Sequence, residues 1–194
     1  GSNFVDGINT LLINYYIIVF GTLLIFFPDY AYQEELLKYL TTLLLIILVF
    51  NLNGKIILGD SGSYLLGLFA GIYLINFSNQ YVLISPFFII LLLWYPCFEL
   101  LFSMIRRKKS KSTMYEPDIY HLHQMLFSFL KRKISVKSNI NHLITSSLIN
   151  FYNVIIVLIG INFIYQTSKL MIIIIFNLIV YSLIYFFLRK TKKY

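Results

Sequence analysis

Leu170-Met171-Ile172-Ile173-Ile174-Ile175-Phe176-Asn177-Leu178-Ile179-Val180-Tyr181-Ser182-Leu183-Ile184-Tyr185-Phe186-Phe187-Leu188 runs for nineteen residues without a charge. A transmembrane helix needs about 20 such residues to cross a hydrocarbon core about 30 Å thick. The run is continuously apolar and does not alternate, which predicts a helix and not a barrel strand. Working outward, similar runs cover residues 11–28, 36–50, 62–77, 86–105 and 143–165. The 36–50 run is short and must tilt or thin the bilayer. The fold class predicted is all-α: a polytopic transmembrane helix bundle of about six spans, read as a single domain over 1–194. A polar loop is expected at 106–142. Composition agrees, with 59% hydrophobic residues, 12% charged residues and a mean hydropathy of +0.78. Soluble domains carry about 25% charged residues, so this chain has too little charge to cover a soluble surface.

The formal net charge of +8 raises the question of nucleic acid. The basic residues flank apolar runs and do not line a soluble face, so no nucleic-acid partner is expected. They read as topology signals and as contacts for lipid headgroups. With six spans, fourteen of the sixteen Lys and Arg residues fall on one side, and only Lys38 and Lys169 on the other. The positive-inside rule makes the first side cytoplasmic. Cys97 is the one cysteine, which excludes an internal disulfide. The chain opens Gly1-Ser2-Asn3-Phe4-Val5-Asp6-Gly7, with neither a basic leader nor a cleavage site. It is read as the C-terminal portion of a longer protein.

Three polar islands interrupt the apolar pattern, and all fall on the basic side. The first is Asn3-Phe4-Val5-Asp6-Gly7-Ile8-Asn9, just before a span; Asp6 or Asn9 would suit either a helix cap or a ligand. The second is Gly59-Asp60-Ser61-Gly62-Ser63. A carboxylate between glycines at a helix start suits a cation or phosphate site, because the backbone can approach closely and N–H groups are available. The third is Glu116-Pro117-Asp118-Ile119-Tyr120-His121-Leu122-His123-Gln124 within the basic loop. His121 and His123 lie on one face of an extended segment, or about 200° apart on a helix. Zinc is a poor fit, since only His142 remains as a third imidazole and no second thiol exists. A phosphate or diphosphate fits better. Glu99 lies inside the fourth run, where an ionisable group is costly and faces a polar interior; pairing with a helix-end Arg and a direct ligand role both stay open.

In this order the islands resemble the polyprenyl-phosphate N-acetylhexosamine-1-phosphate transferases, the glycosyltransferase family 4 group that includes WecA, TagO and MraY. The family's Asn-x-x-Asp-Gly segment is matched by Asn3 to Gly7, its Gly-Asp-x-Gly-Ser by Gly59 to Ser63, and its Pro-Asp and His-rich loop by Pro117-Asp118 and His121-Leu122-His123-Gln124. Pro96-Cys97-Phe98-Glu99 leading to Arg106-Arg107 is similar to the family's acidic span. Departures are Ile57 where many members carry an aromatic residue, Asn9 for a second Asp, Thr10 for a usual Gly, and Gln124 for the last His. The family's Asp-Asp pair has no counterpart here and is expected upstream.

The resemblance implies transfer of a HexNAc-1-phosphate from a UDP-N-acetylhexosamine to undecaprenyl phosphate, with release of UMP, at the cytoplasmic face of a bacterial inner membrane. It implies Mg²⁺, or Mn²⁺, as cofactor. Asp60 would be the metal ligand, with Asp6, His121 and His123 as its catalytic partners. Asn3, Gly59, Lys55 and Arg107 would bind substrate. The rival readings are a membrane transporter or lipid flippase, or a non-catalytic membrane fragment. A transporter should carry its polar groups near mid-bilayer.

Overall fold

The computed structural model describes residues 1–110, 120–134 and 136–192. Among these every element is an α-helix: α1 (Ser2–Val5), α2 (Leu11–Phe26), α3 (Pro28–Gln33), α4 (Glu35–Leu52), α5 (Gly59–Gln80), α6 (Pro86–Leu92), α7 (Trp94–Ser110), α8 (Leu122–Lys133), α9 (Ser138–Ile161) and α10 (Thr167–Lys192). Four of them, α4, α5, α9 and α10, are long and apolar enough to cross a membrane; α6 with α7 makes a fifth if that bent pair counts as one span. The sixth run is α2, apolar but only 16 residues long, or roughly 24 Å at 1.5 Å per residue.

α2 runs through the interior. Leu11, Leu12, Tyr15, Tyr16, Val19, Phe20 and Leu23 are all buried, and α3, α4, α5 and α9 pack around it. In lipid this packing rests on van der Waals fit and interhelical hydrogen bonds, since lipid tails are as apolar as Leu. Contacts at the helix ends fix the alternation of the spans. At one end the Thr10 N–H is donated to Asn51 Oδ1, joining the start of α2 to the end of α4. At the same end Thr10 Oγ1 donates to Ser146 Oγ of α9 (2.7 Å), and Arg132 of α8 donates to the Thr191 carbonyl of α10 (2.9 Å). At the other end Gln80 Nε2 donates to Gln33 Oε1 (2.8 Å) and the Ser85 N–H to the Ile164 carbonyl (2.8 Å). The three polar islands therefore share one end, as the span count requires.

Two expectations need correction. The run over 86–105 is not one continuous helix: it breaks at Leu93 and bends by 74°. Pro96 supplies the cause, because it has no N–H for the Leu92 carbonyl and its ring clashes there. The Tyr15 hydroxyl donates to that freed carbonyl instead, at 2.7 Å, the kind of neighbour's rescue that a proline inside lipid needs. The bend lays α7 against α1. The second correction is the 106–142 stretch, which contains α8. Leu122, Met125, Leu126 and Phe129 recur at helical spacing, and their side chains are buried or packed on the core.

The polar groups are also not confined to the island end. Asn150, Asn153 and Asn177 sit deep in α9 and α10, each tied into packing. Asn150 Nδ2 donates to the Leu11 carbonyl (3.1 Å), Trp94 Nε1 to Asn153 Oδ1 (3.0 Å), and the Tyr152 hydroxyl to Asn177 Oδ1 (2.7 Å).

Candidate active site

The site begins with two carboxylates brought together from islands more than fifty residues apart in sequence. Asp6 follows α1 and Asp60 lies in the first turn of α5. Neither caps its neighbouring helix: α2 has Thr10 at its N-cap and α5 has Leu58, and neither cap makes a side-chain hydrogen bond. Asp6 lies by the backbone N–H of Gly59 instead. Its carboxyl is pushed up to about 6, first by burial and next by the Asp60 carboxylate facing it, while the Gly59 N–H works in the opposite direction. A half-buried Asp6 beside an exposed Asp60, two like charges near one another, makes a place where a cation is welcome.

Local backbone explains the residue types. Gly59 has φ +66°, and a Cβ there would meet nothing, so its requirement is conformational freedom and not space. Gly7 is the reverse case, since a Cβ there would collide with His123 Nε2. The missing side chain is what lets the histidine pack on the first island. Asn3 bridges the islands: its Nδ2 donates to the Tyr64 hydroxyl and its Oδ1 accepts from Ser63 Oγ, both at 3.2 Å.

The two histidines straddle the start of α8. His121 is extended at the N-cap and His123 lies in the first turn, and both are buried. Their rings lie nearly parallel with centroids 5.6 Å apart. Phe4 meets the His121 ring edge-on at 5.4 Å. The first island thus touches both histidines and both segments of the acid pair. Glu116, Pro117 and Asp118 lie outside the described residues.

Phe4 also borders a cavity of about 700 Å³ along α7, lined by Leu100, Leu101, Met104 and Ile105 and closed by Arg107 and Lys108. Its walls are apolar and its rim is cationic. Arg107 and Phe4 thus line the same cavity. Lys55 lies exposed on the turn between α4 and α5 at the same end.

Glu99 was left between two roles by sequence alone, and the protein groups it meets are His121, Leu122 and Tyr181, not a helix-end Arg. Its Oε1 lies 2.8 Å from His121 Nδ1 and accepts the Leu122 N–H at 3.3 Å. Its Oε2 accepts from the Tyr181 hydroxyl at 2.7 Å. Tyr181, unremarked in sequence, could have been noticed only as a polar tip in an otherwise apolar run. Among the described residues no group of three or more His, Cys, Asp or Glu side chains is so placed that it could hold a metal ion.

Residues 1–78 match the family model described as Glycosyl transferase family 4. No curated protein and no solved structure matches the chain. The matched segment holds Asn3, Asp6, Lys55, Gly59 and Asp60, while Glu99, Arg107, His121 and His123 lie beyond it. The likeness to glycosyl transferases of family 4 is thus one of the first 78 of 194 residues, less than half of the chain.

Proposed function

We propose that this chain forms part of an enzyme transferring a HexNAc-1-phosphate from a UDP-N-acetylhexosamine to undecaprenyl phosphate. An oxygen of the lipid phosphate attacks the β-phosphorus of the nucleotide sugar. The bond between that phosphorus and the bridging diphosphate oxygen breaks, and UMP leaves. The single observation that carries the reading is the convergence of Asp6, Asp60 and the two histidines at one end of the bundle, beside an apolar cavity with a basic rim.

Phosphoryl transfer depends on positioning and on stabilising charge. Mg²⁺ takes one or two carboxylates and completes its shell with waters and substrate phosphates. Two neighbouring carboxylates fit that demand, and the Asp6 carboxyl, raised first by burial and next by the Asp60 charge, is one whose ionised form a cation would favour. When bound, the ion supplies charge neutralisation between two approaching anions. Asp60 would hold it, with Asp6 beside it, and Mn²⁺ meets the same oxygen set. Asn3 keeps the α5 turn in register, and Gly59 presents its backbone next to Asp6. His121 and His123 offer ring nitrogens to the diphosphate or the sugar. The cavity along α7 suits the first isoprene units of the acceptor, with Arg107 and Lys108 at the level of its phosphate. Lys55, on the exposed turn, suits the nucleotide. The basic end would face the cytoplasm of a bacterial inner membrane, where soluble nucleotide sugar meets lipid.

The test is UMP release by the full-length protein containing these residues. Asp60→Asn, which keeps shape and removes charge, is expected to lower turnover about a thousandfold, the scale of one lost electrostatic stabiliser. Wild-type turnover by that variant would remove the metal assignment.

A further inference from the structure

We propose that Glu99 is a positioning residue for His121, holding the imidazole with its proton on Nδ1 and fixing where Nε2 points; the role in catalysis rests on the transfer reading above. A carboxylate inside a membrane bundle is expensive. Glu99 is 1% exposed, and three donors from two other helices compensate it. His121 and Leu122 come from the start of α8, Tyr181 from α10, and Glu99 itself from α7. An ionised carboxylate only accepts, so the proton of the 2.8 Å contact belongs to His121 Nδ1. Any exchange between the ring and a bound anion then passes through Nε2. The same arrangement orients histidines at metal and acyl-transfer sites, where a carboxylate or carbonyl on the far nitrogen sets tautomer and ring angle.

The surrounding packing suits an alignment device better than a simple staple. Tyr181 is gripped edge-on by Phe98 at 4.8 Å and by Phe102 at 5.4 Å, both from the helix that carries Glu99. This fixes the carboxylate plane from one side. His121 is fixed from the other by the parallel His123 ring and the Phe4 edge. Two aromatic clamps thus bracket one carboxylate–imidazole bond. A mere anchor for α8 would not need a charge, since α8 already packs along α9 and α10 and a buried pair costs more than an apolar contact of the same volume. Glu99 also sits at the N-terminus of α8, where the helix dipole favours a negative charge.

The test uses the full-length protein, uniformly ¹⁵N-labelled at histidine, in lipid nanodiscs. Ring-nitrogen shifts in solid-state spectra report the tautomer, and His121 is identified as the signal that His121→Asn removes. The expected wild-type state carries the proton on Nδ1, with or without a second proton on Nε2. Glu99→Ala should release the ring toward the Nε2–H form, and Glu99→Gln, which keeps an acceptor, should retain Nδ1–H. In the UMP-release assay Glu99→Ala should lower kcat about ten- to a hundredfold and change KM by less than about threefold, and Glu99→Gln should recover part of that loss. An Nε2–H tautomer in the wild type overturns the proposal, as does a folded Glu99→Ala protein that keeps Nδ1–H or full kcat. If Glu99→Ala does not fold, the wild-type tautomer and the kcat of Glu99→Gln decide. If the wild type releases no UMP, the transfer reading falls, while the spectra still decide the Glu99–His121 relation.

Discussion

The two ends of the bundle are built on different terms. At the far end Phe27, Tyr30, Phe77, Tyr81 and Phe88 form one aromatic cluster, with Phe77 meeting Phe27 at 4.6 Å and Tyr30 at 5.3 Å. Its polar tip is satisfied, since the buried Tyr30 hydroxyl donates to the Tyr73 carbonyl at 2.8 Å. At the island end two acids face each other, Thr10 and Gly59 hold positive φ, and a carboxylate is buried in α7. One end lowers the energy of the fold. The other accepts repulsion and strain, which persist only where the surrounding structure holds them in place. That contrast locates function without reference to any relative.

The strongest way to break the contrast is to remove charge at the island end. Asp60→Asn is expected to lower turnover about a thousandfold while leaving the fold intact or more stable. Asp6→Asn should behave alike, with a clear rise in the unfolding midpoint at neutral pH. The sign follows from linkage. The Asp6 carboxyl is raised in the folded protein from 3.8 to about 6, so the folded state binds the proton more tightly than the unfolded one. Its ionisation therefore opposes folding above about pH 6, and that penalty is relieved as pH falls from 6 toward 4. Activity should move the other way and decline as Asp6 gains its proton. Unfolding curves and UMP release at pH 5 and pH 7.5, wild type against Asp6→Asn, check both. A wild type whose stability falls between pH 7.5 and 5 by more than the variant's contradicts the reading.

Next in size is the far end. Phe77 is fully buried, and Phe77→Ala should cost about 3 to 5 kcal/mol with turnover per folded molecule unchanged. Titration with a denaturing detergent beside the activity assay separates the two quantities. A smaller effect tests the bend between α6 and α7. Tyr15→Phe strips the Leu92 carbonyl of its donor, an orphaned buried acceptor worth about 1 to 3 kcal/mol. In a Pro96→Ala background the restored N–H can take over, so the loss should shrink by about 1 kcal/mol. Additive losses would mean that the hydroxyl is not replacing the missing helical bond.

Most of the fold was legible because lipid simplifies the code. Six apolar runs, and a lopsided distribution of Lys and Arg, follow from the cost of charge in hydrocarbon, and each run became helical, the fourth as the bent pair α6 and α7. The acid pair was legible as motif but not as energetics, since nothing in Asp6 or Asp60 alone tells that they face each other. Pro96 stood in view inside the fourth run, yet length and hydropathy do not respond to one missing N–H. α8 was hidden for a different reason. Its apolar residues are followed directly by Lys131, Arg132 and Lys133, so its average resembles a loop although its period of 3.6 is helical. The partners of Glu99 were out of reach because Tyr181 is 82 residues away, and a single-chain reading has no measure for such a separation.

The smallest prediction bears on the seam where strain and packing meet. Thr10 occupies φ +68° just before α2, at the position where the resemblance expects glycine. A β-branched residue there costs of order 1–3 kcal/mol. Two bonds compensate: its N–H reaches Asn51 Oδ1, and its hydroxyl reaches Ser146 at 2.7 Å. Alanine would keep the strain and lose the hydroxyl; glycine would lose the hydroxyl and the strain together. Thr10→Gly should therefore be more stable than Thr10→Ala by about 1 kcal/mol. If alanine proves the better substitute, the left-handed turn is not what ties the first island to the start of α2. The acid pair would then owe its geometry to the Asn3 and Gly59 contacts alone.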